Sequence, residues 1–139
     1  HFSLANFMRS SVYAEIATMR LGMDILAEEQ VKIDSMTGHG GIFKTPGVAQ
    51  RYLAAAAHTA VTCTETAGEG GPYGMALLAA YRVEHADGET LANYLQNRVF
   101  DGAASTTLNP DAADEAGFAA FLKEYKKALC AERTAVETM

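Results

Sequence analysis

Residues 36–59, which read MTGHGGIFKTPGVAQRYLAAAAHT, decide the fold. A short apolar segment ends in the glycine-rich turn Gly38–Gly41, and Thr45 and Pro46 then precede an alanine-rich helix. Glycine permits sharp turns and a close approach of a ligand to the backbone. Thr45 can cap the helix, and Pro46 suits its first position because proline lacks the N–H that would be unpaired there. We therefore expect a strand, a loop and a helix whose free N–H groups suit a nucleotide or another anion.

The same pattern recurs further along the chain. The segment Ala60–Thr64 is rich in β-branched residues and predicts a second strand. A second glycine loop, Glu65–Pro72, then opens a helix predicted over Tyr73–Glu84. Two strands joined through a helix imply a parallel, right-handed crossover, which places both loops at one edge of the sheet. Ligands bind at that edge in open α/β sheets.

The fold class is therefore α/β, with two parallel strands joined by a crossover helix and with additional packing helices. The remaining predicted elements are a helix over Ser3–Glu29 with Ser3 as N-cap, a strand through Val31, Ile33 and Met36, a helix over Thr45–Thr59, a short helix over Gly88–Val99, a loop over Asp101–Asn109 and a final helix from Pro110 and Asp111. An apolar stripe marks the first helix, formed by Leu4, Met8, Val12, Ile16, Met19, Met23 and Leu26. We predict one domain over residues 1–139, with a core at 1–85 and a C-terminal helical extension at 86–139.

Composition excludes several classes of function. The 139 residues suffice for one small domain, and 49% of them are apolar. The net charge of -6 and the scattered Lys and Arg argue against nucleic-acid binding. No stretch is long and apolar enough for a membrane span. Cys63 and Cys130 indicate reduced thiols in a cytoplasmic protein.

The residue at the start of the chain and the small predicted sheet bear on whether this chain is a fragment of a longer protein. His1 is consistent with a tag remnant, a processed start or a fragment, and we favour the fragment. Two parallel strands do not form a self-sufficient sheet, so the strand around Ile33 should lack a neighbour. We expect this edge and the apolar stripe of the first helix to drive self-association into a homo-oligomer.

This sequence matches known catalytic motifs poorly. A phosphate-binding P-loop requires a second glycine where this chain has Phe43. His39, His58 and His85 have no partner at metal-ligand spacing, so we predict no metal site. No residue forms a convincing general base. Tight turns alone would account for either glycine loop, but two such loops at one edge favour a ligand.

The two loops together resemble the C-terminal part of the FGGY family of carbohydrate kinases, especially its ribulokinase and xylulokinase branch. The resemblance rests on Gly40–Pro46 with Gln50 following, and on Glu65–Gly71 leading to Tyr73–Ala80. It extends over essentially the whole chain.

This resemblance implies a partial actin-like, ribonuclease-H-like ATPase lobe of a two-lobed kinase. Such kinases transfer the γ-phosphate of Mg²⁺-ATP to a sugar hydroxyl, here of a ribulose- or xylulose-like pentulose. By position, Gly40, Gly41 and Ile42 would pack on the adenosine, Thr45 would meet the base or ribose, and Gly74 would lie close to the core or the nucleotide. Ile42 replaces a common third glycine, which implies contact through a side chain.

The sequence lacks the family's N-terminal phosphate-binding turn and its catalytic aspartate region. Phosphoryl transfer needs metal, base and both substrates positioned together. We therefore expect this chain to be inactive without a missing N-terminal lobe and to contain no catalytic residue. The alternative is a non-catalytic interaction module that keeps the actin-like scaffold. Such a module would tolerate a bulky residue at Gly41, whereas a nucleotide site would not.

Overall fold

The computed structural model describes residues 2–139, so the interpretation of His1 lies outside the described residues. This part of the chain contains three strands and five helices, which confirms the α/β class. In chain order they are α1 (Leu4–Glu28), β1 (Met36–Thr37), α2 (Val48–Ala57), β2 (Val61–Thr64), α3 (Gly70–Glu84), α4 (Leu91–Tyr94), β3 (Ser105–Leu108) and α5 (Ala112–Glu137). Short 3-10 turns, Gly41–Lys44 and Ala67–Glu69, lie in the two glycine loops, and a π turn, Leu95–Val99, follows α4.

The sheet is mixed, with the strand order β1-β2-β3. β1 and β2 are parallel, with Met36 opposite Val61, as the crossover pattern predicts. The prediction of a loop over Asp101–Asn109 is wrong, because β3 pairs antiparallel to β2 within that segment. Its two central threonines favour a strand. The hydroxyl groups of Thr107 and Thr62 of β2 are hydrogen-bonded to each other at 2.7 Å. The sheet therefore has three strands rather than two.

Two predicted boundaries also need correction. β1 starts only at Met36, and residues 31–35 have no regular structure. The predicted cap by Thr45 is wrong, since α2 is preceded by Gly47 and has no side-chain cap. The 3-10 turn spans Gly41–Lys44, and Thr45 follows it in an extended conformation, with φ -91° and ψ 105°. The predicted cap of α1 is correct, because the Ser3 side chain accepts a hydrogen bond from the Asn6 N–H.

Helices α1, α2 and α5 form the core together with β2. The alanine-rich face of α2 lets the neighbouring helices approach closely, and the Tyr13 ring of α1 contacts the Tyr52 and Phe118 rings edge-on. Burial of this apolar surface is the main stabilising contribution to such a small domain. The buried cluster consists of Tyr13, Ile16, Ala17, Leu53, Ala54, Ala56, Val61 and Phe118.

Other apolar surfaces remain exposed. α3 has no buried residue, and its Met75, Leu78 and Val83 side chains face solvent. The predicted stripe of α1 is covered only in part, since Ile16 is buried while Leu4 is 74% exposed. Within residues 2–139, no helix combines the length and apolar character that a bilayer crossing requires.

Candidate functional site

The two glycine loops contact each other at the end of the parallel strand pair. The Gly40 N–H donates to the Ala67 carbonyl at 2.8 Å. Nearby, the Lys44 ammonium lies 2.6 Å from a Glu69 carboxylate oxygen, in an ion pair exposed to solvent. The structure thus brings together the two loops that the sequence places at one edge of the sheet.

Three glycines have no room for a side chain, and we call Gly38, Gly68 and Gly70 the inner glycines. Gly68 and Gly70 lie against residues of the first loop, whereas Gly38 lies against Phe43 of its own loop and Cys63 of β2. A Cβ atom at Gly38 would lie 2.5 Å from the Phe43 ring and 2.9 Å from the Cys63 sulfur. At Gly68 it would lie 2.9 Å from Lys44 Cγ. At Gly70 it would lie 2.8 Å from the Cβ of His39. Glycine is needed at these positions because neighbouring groups occupy the space of a side chain.

Two other glycines, Gly40 and Gly41, have open surroundings, and we call them the outer glycines. A Cβ atom at either position would meet no atom within 4 Å. Gly40 has φ +112°, which a residue with a side chain rarely adopts. Gly41 and Ile42 begin the 3-10 turn, so their N–H groups have no partner within it, and among residues 2–139 no backbone hydrogen bond outside the turn involves them. This turn therefore presents the free N–H groups of Gly41 and Ile42 on an open backbone surface.

A cleft of about 570 Å³ lies between the loops and the start of β3. Lys44 and Pro46 line it, whereas the predicted site residue Thr45, which lies between them in the chain, is not one of the lining residues. Burial raises the pKa of the Cys63 thiol, although the Gly38 N–H opposes this effect. A cysteine with a raised pKa has less of the thiolate form at neutral pH and is therefore a weaker nucleophile.

The last predicted site residue, Gly74, lies elsewhere. It lines an apolar groove of about 400 Å³ between α3 and the α4 region, together with His39, Tyr73 and Phe100. The predicted residues therefore fall into three places: the turn at Gly40–Ile42, the segment beside the cleft at Thr45 and the groove at Gly74.

Sequence reasoning missed the contribution of Gln50 and of β3 to the site. Gln50 is 2% exposed and lines the cleft beside Thr106 of β3, to which it is hydrogen-bonded, and Ser105 also lines the cleft. In the sequence, Gln50 is a polar residue within an alanine-rich helix, but that pattern shows neither its burial nor its partners.

A comparison with protein-family models matches residues 1–83 to the C-terminal domain of the FGGY family of carbohydrate kinases. The match spans more than half of the chain and includes both glycine loops. The chain belongs to the FGGY family. The family assignment predicted from the loops is therefore confirmed. β3 and α5 lie beyond the matched residues of this FGGY domain. Comparisons with curated proteins and with solved structures give no match.

FGGY kinases use ATP with Mg²⁺. The turn at Gly40–Ile42 fits a nucleotide, because the outer glycines leave room for a ligand and the N–H groups of Gly41 and Ile42 are unpaired. Within the described part of the chain, no three His, Cys, Asp or Glu side chains lie close enough to hold a metal ion. This FGGY domain thus supplies candidate nucleotide contacts, and we assign no metal ligand to it.

Proposed function

We propose that this chain is the nucleotide-binding C-terminal portion of an ATP-dependent pentulose kinase. In the intact protein it would act with an N-terminal lobe, in the cytoplasm, on a ribulose- or xylulose-like sugar. Its fold would be part of an actin-like, ribonuclease-H-like lobe, with a core at 1–85 and an extension at 86–139. The observation that carries the proposal is the open surface at the outer glycines, together with the free N–H groups of Gly41 and Ile42.

The roles of the site residues follow from this geometry. Gly40 and Gly41 let the adenosine approach the backbone, and the N–H groups of Gly41 and Ile42 donate to its oxygen atoms. Ile42 adds an apolar contact, and Thr45 meets the base or ribose. Gly74 lies in the adjoining groove and supports the helix after the second loop.

Mg²⁺-ATP supplies the phosphoryl group in this reaction. The chain's own residues bind and orient the nucleotide, and the Lys44–Glu69 pair holds the two loops together. Phosphoryl transfer also needs a base that orients the sugar hydroxyl. We place that base and the sugar site in the N-terminal lobe, so the chain alone should not phosphorylate a sugar.

Titration with ADP tests the proposal. We expect the chain to bind ADP, and Gly41→Val to weaken binding at least roughly tenfold, or about 1.4 kcal/mol, because the side chain fills the ligand's space. Gly71→Val is the matched control, since Gly71 also has nothing within 4 Å but lies at the start of α3. It should leave ADP affinity unchanged. The proposal is wrong if the chain does not bind ADP, or if Gly41→Val binds as well as the control.

The exposed apolar surface of α3 favours the second candidate, a non-catalytic interaction module. Met75 is 69% exposed and Val83 84% exposed, although α3 is the helix that follows the second glycine loop. A module of this kind would not bind ADP and would tolerate Gly41→Val.

Under either function, we propose that the isolated chain forms homo-oligomers through α3 and the start of α1. Exposed apolar surface of this kind favours association. Light scattering over a range of concentrations should show mass increasing with concentration. A constant monomer mass would exclude this association.

A further inference from the structure

Gln50 is a buried polar side chain with all its hydrogen-bonding groups engaged. Its amide nitrogen donates to the carbonyls of Val61 and Thr106, both at 2.8 Å. Its amide oxygen accepts a hydrogen bond of 3.3 Å from the Thr106 hydroxyl. One side chain of α2 is therefore bonded to β2 and to β3 at the same time. Buried polar groups with complete partners fix one arrangement of the elements they join.

Gln50 lies in the first turn of α2, so its hydrogen bonds act on the start of this helix. Gly47, which precedes the helix, has φ +76° and provides no capping side chain. The Val48 N–H reaches back to the Thr45 carbonyl at 3.4 Å, which is a long hydrogen bond. The Arg51 N–H closes the first turn of α2 by donating to the Gly47 carbonyl at 3.0 Å, but no side chain caps this turn. Gln50 lies in that turn and anchors it to the sheet.

The anchor also connects two parts of the sequence. The first glycine loop and α2 lie within the residues matched by the FGGY domain, whereas Thr106 lies beyond them. Thr106 and Gln50 both line the cleft between the loops. The strand β3 therefore contributes to the candidate site through Gln50 as well as through its own surface.

We propose that Gln50 is a positioning residue for nucleotide binding, because it ties the start of α2, and with it the first glycine loop, to β2 and β3. The part of this inference that concerns nucleotide binding rests on the proposed function. Gln50 does not touch the nucleotide in this scheme. It sets the position of the residues from Gly40 to Thr45 that do.

The first test compares three variants of the whole chain. Gln50→Met keeps the length of the side chain and removes its hydrogen bonds, and Thr106→Val removes only the hydroxyl partner. Thr107→Val is the control, because Thr107 is an exposed β3 residue whose hydroxyl pairs with Thr62. ADP affinity is measured where circular dichroism shows each variant to be folded. We expect Gln50→Met to weaken binding roughly tenfold, Thr106→Val about threefold, and Thr107→Val not at all.

A purely structural role would lower the thermal midpoint of Gln50→Met without changing the ADP affinity of the folded chain. That result would overturn the proposal. Thr106→Val makes the smaller change and keeps the test decisive if Gln50→Met does not fold.

Amide hydrogen exchange without nucleotide separates this inference from the proposed function. The reporters are the hydrogen-bonded amides of Gly40 and Phe43 in the first loop. Their exchange should be faster in Gln50→Met, and to a lesser degree in Thr106→Val, than in the wild type or Thr107→Val. Unchanged exchange would overturn the positioning role. If the wild type does not bind ADP, the proposed function fails, and exchange alone decides the role of Gln50.

Discussion

Gly38 and Gly41 belong to the same loop and have opposite surroundings. At Gly38, a side chain would collide with the Phe43 ring and the Cys63 sulfur, whereas at Gly41 it would meet open space. The same contrast separates the other inner glycines from Gly40. Gly68 and Gly70 let the two loops approach each other, and Gly38 makes room for Phe43 and Cys63. The outer glycines leave a backbone surface uncovered for a ligand.

Within one turn, some glycines are therefore needed for packing and others leave space for a ligand. The inner positions should respond to substitution through stability, because packed interiors do not tolerate added volume. The outer positions should respond through binding. Substitutions at the inner positions should change the free energy of unfolding, and Gly38→Ala should also change the reactivity of the Cys63 thiol.

The largest expected effect is that of Gly38→Ala. Its Cβ atom would lie 2.5 and 2.6 Å from two carbons of the Phe43 ring and 2.9 Å from the Cys63 sulfur. Overpacking of this kind costs about 1–3 kcal/mol, and we expect a value near the upper end in the free energy of unfolding measured with urea.

A control and a rescue sharpen this prediction. Gly22→Ala in α1 meets no atom within 4 Å and should raise stability by about 0.5–1 kcal/mol, as alanine does in a helix interior. Phe43→Leu should reduce the cost of Gly38→Ala, because the collision involves the ring. If Gly38→Ala is as stable as the wild type, the distinction between inner and outer glycines is lost.

A smaller effect is expected where the colliding atom can move. Gly70→Ala would place its Cβ 2.8 Å from the Cβ of His39, which moves only with the backbone. Gly68→Ala would instead meet Lys44 Cγ, part of a flexible side chain. We expect losses of about 1–2 kcal/mol for Gly70→Ala and below about 1 kcal/mol for Gly68→Ala.

Urea unfolding of the two variants decides this order. In a Lys44→Ala background, the cost of Gly68→Ala should largely disappear, whereas that of Gly70→Ala should persist. Equal costs in both backgrounds would show that Lys44 is not the group that Gly68 accommodates.

Local signals predicted much of the fold correctly. The parallel strand pair and the meeting of the glycine loops follow from chain order, and the cap at Ser3 follows from side-chain chemistry at helix starts. The start of the last helix at Pro110 and Asp111 was also predicted, although the cap by Asp111 was not. β3 was missed because Ser105–Leu108 is short and mostly exposed, so its pairing depends on the free edge of β2. Long-range pairing of this kind overrides weak local patterns.

The candidate site was predictable to a similar degree. Glycine spacing located the loops, but it did not separate inner from outer positions, since that distinction depends on Phe43, Lys44 and His39 across the contact. Thr45 failed as a cap because the chain turns before it reaches the helix. The role of Gln50 depends on partners in two strands, and one of them was not predicted as a strand.

The smallest effect is expected in the reactivity of the two cysteines. Cys63 lies beside Gly38 on the packed side of the loops, and burial raises the pKa of its thiol above the usual 9.0. The neutral thiol of Cys63 therefore persists to a higher pH than usual, and the thiolate is the reactive form. Cys130 is exposed in α5. In the native chain we expect Cys130 to react with a thiol reagent faster than Cys63.

Cys130→Ser isolates the slow reaction, and its rate should keep rising with pH above 9.0, because deprotonation of Cys63 is incomplete there. Adding Gly38→Ala to Cys130→Ser should accelerate the reaction, since the new methyl group displaces the sulfur or the Phe43 ring that covers it. The rate in Gly22→Ala with Cys130→Ser should not change. Equal rates for Cys63 and Cys130 in the native chain would show that the packed side of the loops opens readily. The close packing of Phe43 and Cys63 against Gly38 would then not persist in solution.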